Sequence, residues 1–320
     1  MTVTMASPST KAAAKPRRAR SRLARGRWRA GYAFVLPAAV MFAVFILVPI
    51  GYAVELSFKA LRVSGGLIGR KHEVDVGLQN YRDALKDPEL LHSLLRMALY
   101  GLIVVPVMLG LATLFALLLD VPRVRLQRTT RLAIFLPYAV PGVIAALLWG
   151  FMYLPSVSPL RDVATSVGLP APNFFGAHSI FGSVANIAVW GGTGFNMVVL
   201  YTSLRALPAE VYDAAKIDGC SELQLAVHVK LPLLRPAIIM TTIFSLIATL
   251  QVFSEPATLA PLTNVIPSTW MPLMKIYRDA FVDNDIYSAA ATSVILAGAA
   301  LLISLGVLRF VQARLFGDEA

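Results

Sequence analysis

Six stretches of the chain are almost continuously apolar, at about 31–57, 96–119, 132–154, 179–203, 237–260 and 288–310, and the charged residues fall almost wholly between them. A helix that crosses hydrocarbon needs roughly 20 mostly apolar residues. Strands of a membrane barrel would instead alternate apolar and polar side chains over about 10 residues. The run from Leu102 to Leu119 shows no such alternation. The pattern predicts an all-α membrane protein built as a six-transmembrane-helix bundle.

Between the fourth and fifth runs lies a polar, helix-forming island, residues 208–232 of a loop at 204–236. Pro208 suits a first helical turn, where its missing N–H is one of the unpaired ones. Val211, Ala214 and Ala215 recur at helical spacing, so a short helix is expected over about 208–218. Gly219 fits the left-handed position that ends a helix. Ser221 with Gln224 reads as a capping box opening a second helix, expected to stop before Pro232. An interfacial amphipathic hairpin is the plain alternative, but it does not require two alanines beside an acid or a glycine at these spacings. Small side chains at 214, 215 and 219 leave the backbone open to a partner groove, with Asp213 placed to pair with a cation there.

Charge sets the expected orientation, because Lys and Arg are retained on the cytoplasmic side. Nine of them, from Lys11 to Arg29, precede the first run with no acid among them, and Arg123, Arg125, Arg128 and Arg131 crowd the second short connection. Both segments are expected in the cytoplasm, together with the 204–236 loop and the C-terminus bearing Arg309 and Arg314. The 155–178 loop holds only Arg161 and is expected outside. Segment 58–95 mixes both signs, and long loops cross largely regardless of charge. Residues 1–28 are expected to form a basic tail, 29–315 the membrane domain and 316–320 a short C-terminal tail. The N-terminal run is too long for a signal peptide and is expected to be kept as a helix.

Composition agrees with a bilayer protein: 57% of residues are hydrophobic and only 15% charged. The net charge of +11 follows from cytoplasmic retention and from anionic lipid head groups, so no nucleic-acid partner is expected. The single Cys220 makes neither an intrachain disulfide nor a thiolate metal site, and the four histidines are scattered among loops. No metal or catalytic constellation is legible. There is no phosphate-binding glycine loop, so the chain is not expected to bind ATP or to act as an enzyme.

The island resembles the coupling loop of ABC importer permeases, and most closely that of carbohydrate permeases of the maltose-transporter type. Its flanks agree, with Leu200, Leu204, Leu207 and Pro208 before it and Pro232 and Pro236 after it. Phe34 with Leu36, Pro37 and Pro49, the stretch from Gly77 to Tyr81, Leu136 with Pro137, Trp149 and Trp190 look like that family too. Asp213 stands where the family usually has Glu, and Cys220 where it usually has Ala; the shorter acid changes the reach of the usual contact.

The resemblance implies a division of labour. Two permease chains form the pore, this one resembling the maltose-F type with a maltose-G-like partner. Two ATPase subunits dock below and carry ATP and Mg, and an extracytoplasmic sugar-binding protein delivers the carbohydrate substrate. Asp213, Ala214, Ala215, Asp218, Gly219, Leu231 and Pro232 would then form the ATPase-coupling surface.

Polar groups inside a span usually face the bundle interior. Gln251, Ser254 and Glu255 in the fifth run and Asn186, Thr193 and Asn196 in the fourth are therefore pathway candidates, with Trp190, Tyr153 and Phe253 offering aromatic faces to a sugar ring. Equally, such groups bridge helices or mark the interfacial belt. A secondary transporter of a small polar solute is the alternative reading; it would need intramembrane carboxylates or broken helices for ion coupling, and only Glu255 is placed to serve.

Overall fold

A computed structural model describes residues 32–64, 70–121 and 126–316. The expected tail at 1–28, Arg123, Arg125 and residues 317–320 lie outside the described residues. The chain divides into two compact units, 1–55 and 56–320. In the first, the described residues are helical throughout, as part of a 26-residue apolar helix, Tyr32–Ser57, with a wide π turn at Ala43–Leu47. Pro49 sits just past that turn.

The second unit is a helical bundle. Three further helices are long and apolar enough to cross a membrane: Pro88–Leu119, Ile180–Arg205 and Ile286–Gly306. Two bent pairs supply the remaining spans: Gln127–Ala139 with Gly142–Tyr153, and Glu222–Leu233 with Arg235–Leu250. Six spans follow if each bent pair counts as one, and the bends correct the expected straight runs.

The third run turns by 99° at Val140 and Pro141. Val140 is extended, with φ −81° and ψ 124°, because the ring of a following proline disfavours the helical conformation. The fifth run does not continue to residue 260 either. Its helix ends at Leu250, and a separate short helix begins at Ser254 and ends at Leu259. Pro256 explains the break, since a continuous helix would leave the carbonyl of Val252 without a donor and in collision with the proline ring.

The second span begins at Pro88, eight residues before its expected start at 96. Its start follows a recognisable cap: Asp87 accepts a hydrogen bond from the Glu89 N–H at 2.9 Å, and Pro88 fills the first turn. The segment read as a plain loop also contains an antiparallel pair, Lys59–Ser64 with Arg70–Asp75, in register from Lys59 opposite Asp75 to Ser64 opposite Arg70. Asn80 closes its base by donating to the carbonyls of Ser57 at 2.9 Å and Lys59 at 2.8 Å.

Two large apolar clusters hold the bundle, with a smaller one at Leu56, Tyr287 and Ala290. Ala112, Ala116 and Leu119 of the second span meet Met197, Leu200 and Leu204 of the fourth at one end, together with Leu234. Towards the other end Tyr100 and Val104 pack with Ala146, Val184, Leu259 and Met271. Alanine and glycine at these contacts let backbones approach closely, which is how helices gain packing energy where lipid is as apolar as leucine. Gly194 marks the tightest approach, with a Cβ there falling 2.2 Å from the carbonyl oxygen of Ile134.

Candidate functional site

The polar island folds into a hairpin. Its first helix is Ala209–Ile217, Gly219 follows with φ +78°, and Ser221 caps the next helix reciprocally with Gln224. The Ser221 N–H donates to Gln224 Oε1 at 2.8 Å, and the Gln224 N–H donates to Ser221 Oγ at 3.3 Å. The second helix was expected to stop before Pro232, but it runs through to Leu233. A π turn at Leu225–Lys230 precedes the proline, with the Leu231 N–H reaching back to the Ala226 carbonyl. The wider turn skips a residue, so the N–H that proline lacks is not needed. The chain then bends by 65° into Arg235–Leu250.

Within this hairpin Asp213, Ala214, Asp218 and Gly219 are exposed, Ala215 is buried, and Leu231 and Pro232 are half-buried. Two large apolar side chains also stand out into solvent, Ile217 at 86% and Leu223 at 74% exposure. Sequence reasoning passed over both, though they flank Gly219.

The hairpin is fastened to the bundle by a buried ion pair. Lys230 Nζ lies 2.7 Å from Asp120 Oδ2, and both side chains are almost fully enclosed. Asp120 caps the C-terminus of the second span. Arg205, the last residue of the fourth span, approaches the same carboxylate at 3.9 Å. Tyr212 closes the group: its hydroxyl donates to the Leu204 carbonyl at 3.1 Å, and its ring lies 5.1 Å from the lysine ammonium. Burial, and then the Asp120 charge, push the Tyr212 phenol above its ordinary value, which keeps it a neutral donor. No sequence spacing links Asp120 to Lys230, and sequence reasoning singled out neither.

The opposite end of the second span carries another clamp. Lys275 bridges Asp279 at 2.6 Å and Asp87 at 2.9 Å, while Arg278 reaches Glu89 at 2.8 Å and Asp283 at 3.2 Å. Burial by itself raises the Asp87 carboxyl, but the Lys275 hydrogen bond, the Glu89 N–H and the lysine charge outweigh it and hold the group below its ordinary value. A carboxyl lowered in this way stabilises the fold above its unfolded value and loses that contribution as pH falls through the folded one. Thermal unfolding followed against pH is expected to show an acid limb below about pH 4 that is smaller in Asp87→Asn than in the unaltered chain.

A cavity of about 540 Å³ opens among the second to fifth spans, lined by residues that include Tyr100, Tyr138, Asn196, Ser245, Thr249 and Glu255. Glu255 is its one charged side chain among the described residues. The Tyr138 and Phe195 rings stack beside it with centroids 4.8 Å apart. Of the expected pathway residues, the structure brings Asn196 and Glu255 here. The others go elsewhere. Gln251 is exposed, at the end of its helix; Phe253 sits in the break that follows and packs on Tyr277 at 5.5 Å, and Ser254 opens the next short helix. Trp190 meets Trp149 edge to face at 5.8 Å, and Thr193 donates to the Val189 carbonyl of its own helix at 2.6 Å. Asn186 and Tyr153 are bonded to each other at 2.9 Å in a separate pocket of about 440 Å³.

Apolar spans broken at prolines around a largely apolar cavity with a few polar groups, with a capped hairpin at one end, define a membrane permease. The chain belongs to the family of binding-protein-dependent transport system inner membrane components, whose model matches residues 93–317. A diacetylchitobiose uptake system permease of Streptomyces coelicolor is 28% identical over 298 residues, covering 89% of this chain and 82% of that protein. The fold matches a solved bacterial ABC transporter involved in the import of the acidic polysaccharide alginate, with TM-score 0.76, 18% identity and coverage of 92% of this chain and 99% of that one. It also matches a bacterial alginate ABC transporter in complex with an alginate pentasaccharide-bound periplasmic protein, with TM-score 0.72, 19% identity and coverage of 90% and 95%.

Proposed function

We propose that the chain is one pore half of a carbohydrate importer and transmits ATPase motion through the 208–232 hairpin. One observation carries this reading: the hairpin offers exposed Asp213, Ala214, Ile217, Gly219 and Leu223 to a partner, and its Lys230 is locked to the end of the second span at Asp120. A surface that is open on one side and rigidly tied on the other suits the transfer of a displacement. Asp218 lies at the same tip, and Leu231 and Pro232 at the base.

The assembly would contain a second permease chain, two ATPase subunits that hold ATP and Mg, and an extracytoplasmic sugar-binding protein. This chain is non-catalytic in that scheme. Both termini and the hairpin face the cytoplasm, in keeping with the clustered Lys and Arg on those segments. The diacetylchitobiose uptake permease it resembles supports a saccharide as the cargo.

Gly219→Leu tests the coupling role. No atom lies within 4 Å of a Cβ built at this glycine, so the substitution meets no steric block inside the chain. It carries only the strain of a side chain at positive φ, on the order of 1 kcal/mol. The variant is expected to reach the membrane, while sugar uptake falls at least about tenfold and co-purification of the ATPase weakens; a loss of ~1.4 kcal/mol in docking has that size. Unchanged uptake would remove the hairpin from the coupling path.

A further inference from the structure

We infer that the cavity half supplied by this chain selects solutes that donate hydrogen bonds, neutral saccharides or ammonium-bearing ones, and disfavours anionic solutes. The inference rests on the proposed transport role and specifies the class of cargo.

The first ground is charge. Glu255 lines the cavity and no lysine or arginine does, among the described residues. Its carboxylate lies beside Gly142, where an added Cβ would stand 3.6 Å from Oε1. No hydrogen bond or salt bridge within the described residues engages it. A half-buried carboxylate without a partner retains much of its desolvation cost, and a ligand that donates to it recovers part of that cost.

The second ground is that three of the lining hydroxyls have their protons engaged within the bundle. Tyr100 directs its hydroxyl to the Val184 carbonyl at 3.5 Å, Ser245 to Asn196 Oδ1 at 3.5 Å, and Thr249 to the Ser245 carbonyl at 2.8 Å. Asn196 spends one N–H on the Gly192 carbonyl at 3.0 Å. Hydroxyls whose protons are engaged can only accept from a ligand that reaches them, while the second N–H of Asn196 and the Tyr138 hydroxyl keep the capacity to donate. The wall is largely apolar, and Glu255 is its strongest acceptor and its one charged group among the described residues. Sugar hydroxyls and ammonium groups supply donors to such a wall. Phosphate, sulfonate and carboxylate oxygens bring acceptors against acceptors, and repulsion from Glu255 adds to the mismatch.

Charge-selective thiol labelling reads this property without knowledge of the cargo. Gly191 lines the cavity and has no atom within 4 Å of an added Cβ, so Gly191→Cys combined with Cys220→Ser places a single thiol there. The complete transporter is reacted with a trimethylammonium thiosulfonate and with a sulfonate thiosulfonate, with and without ATP. Relative to a free thiol in solution, the cationic reagent is expected to gain about tenfold over the anionic one. Glu255→Gln in the same background is expected to abolish that gain. Equal rates, preference for the anion, a ratio unchanged by Glu255→Gln, or no labelling in either condition would each overturn the inference. In parallel, ATP-dependent uptake of a uronate oligosaccharide that matches a neutral oligosaccharide would overturn it while leaving the transport reading intact. Absence of a co-purifying ATPase would remove the transport reading, and the labelling ratio would still decide the character of the cavity.

Discussion

Gly194→Ala is expected to prevent the bundle from closing, with a cost near the upper end of what an extra methyl inflicts on a packed interior, about 3 kcal/mol. The added Cβ would lie 2.2 Å from the Ile134 carbonyl oxygen and 2.7 Å from Phe135 Cα. Both are backbone atoms of a helix and neither can rotate aside. The third and fourth spans would have to separate, opening the region around the stacked Tyr138 and Phe195 rings. Gly192→Ala is the internal control. Its Cβ would come within 2.3 Å of Met108 Sδ, but a methionine side chain has rotatable bonds and repacks, so the expected cost is below ~1.5 kcal/mol. Thermal unfolding of the detergent-purified chain, with membrane yield as a second readout, separates the two. Equal stability of the variants would show that the third and fourth spans are not packed as described.

Asp120→Asn is expected to lower stability by about 3 kcal/mol and to uncouple ATP hydrolysis from uptake. Breaking one side of a buried ion pair leaves the other charge enclosed and unpaired, which costs roughly 3–5 kcal/mol, whereas replacing both members by neutral groups is often close to neutral. Lys230→Met should show a similar loss, and Asp120→Asn combined with Lys230→Met should recover most of the stability. Uptake should remain impaired in the double variant, because the hairpin keeps its fold but loses its fixed tie to the second span. Arg205 at 3.9 Å adds a weaker, more exposed contribution that the double variant leaves unmatched. Additive losses in the thermal-shift cycle would show that Asp120 and Lys230 do not act as a pair.

The outline of the fold was legible because lipid imposes one rule, that apolar runs of sufficient length become helices. The interruptions were harder to place. Pro141 and Pro256 were visible, yet hydropathy is insensitive to where backbone N–H groups are missing, so two runs that scored as continuous proved to be broken. Pro232 misled in the other direction, since a π turn let the helix pass through it. The hairpin itself read well from sequence because its signals are local: Gly219 and the Ser221–Gln224 box lie within a few residues of what they shape. The cavity read poorly. Ser245, Thr249 and Tyr138 line it through spatial convergence of four spans, and helical spacing alone gives no way to tell a residue facing that space from one exposed beyond the end of its helix, as Gln251 is.

The second span is pinned at both tips, by Lys275 on Asp87 at one end and Lys230 on Asp120 at the other. With 32 residues at ~1.5 Å each it is about 48 Å long, a strut with a fixed joint at either extremity. Such a member carries a push along its axis but cannot slide past its neighbours without breaking one of the two joints. Its one soft point is Pro106, where the proline ring removes a hydrogen bond and permits bending. Under the proposed coupling role, a displacement applied at the hairpin would be resolved into axial thrust towards Asp87 and flexure about Pro106. The flexure falls next to Val104 and Met108, at the wall of the cavity that holds Glu255.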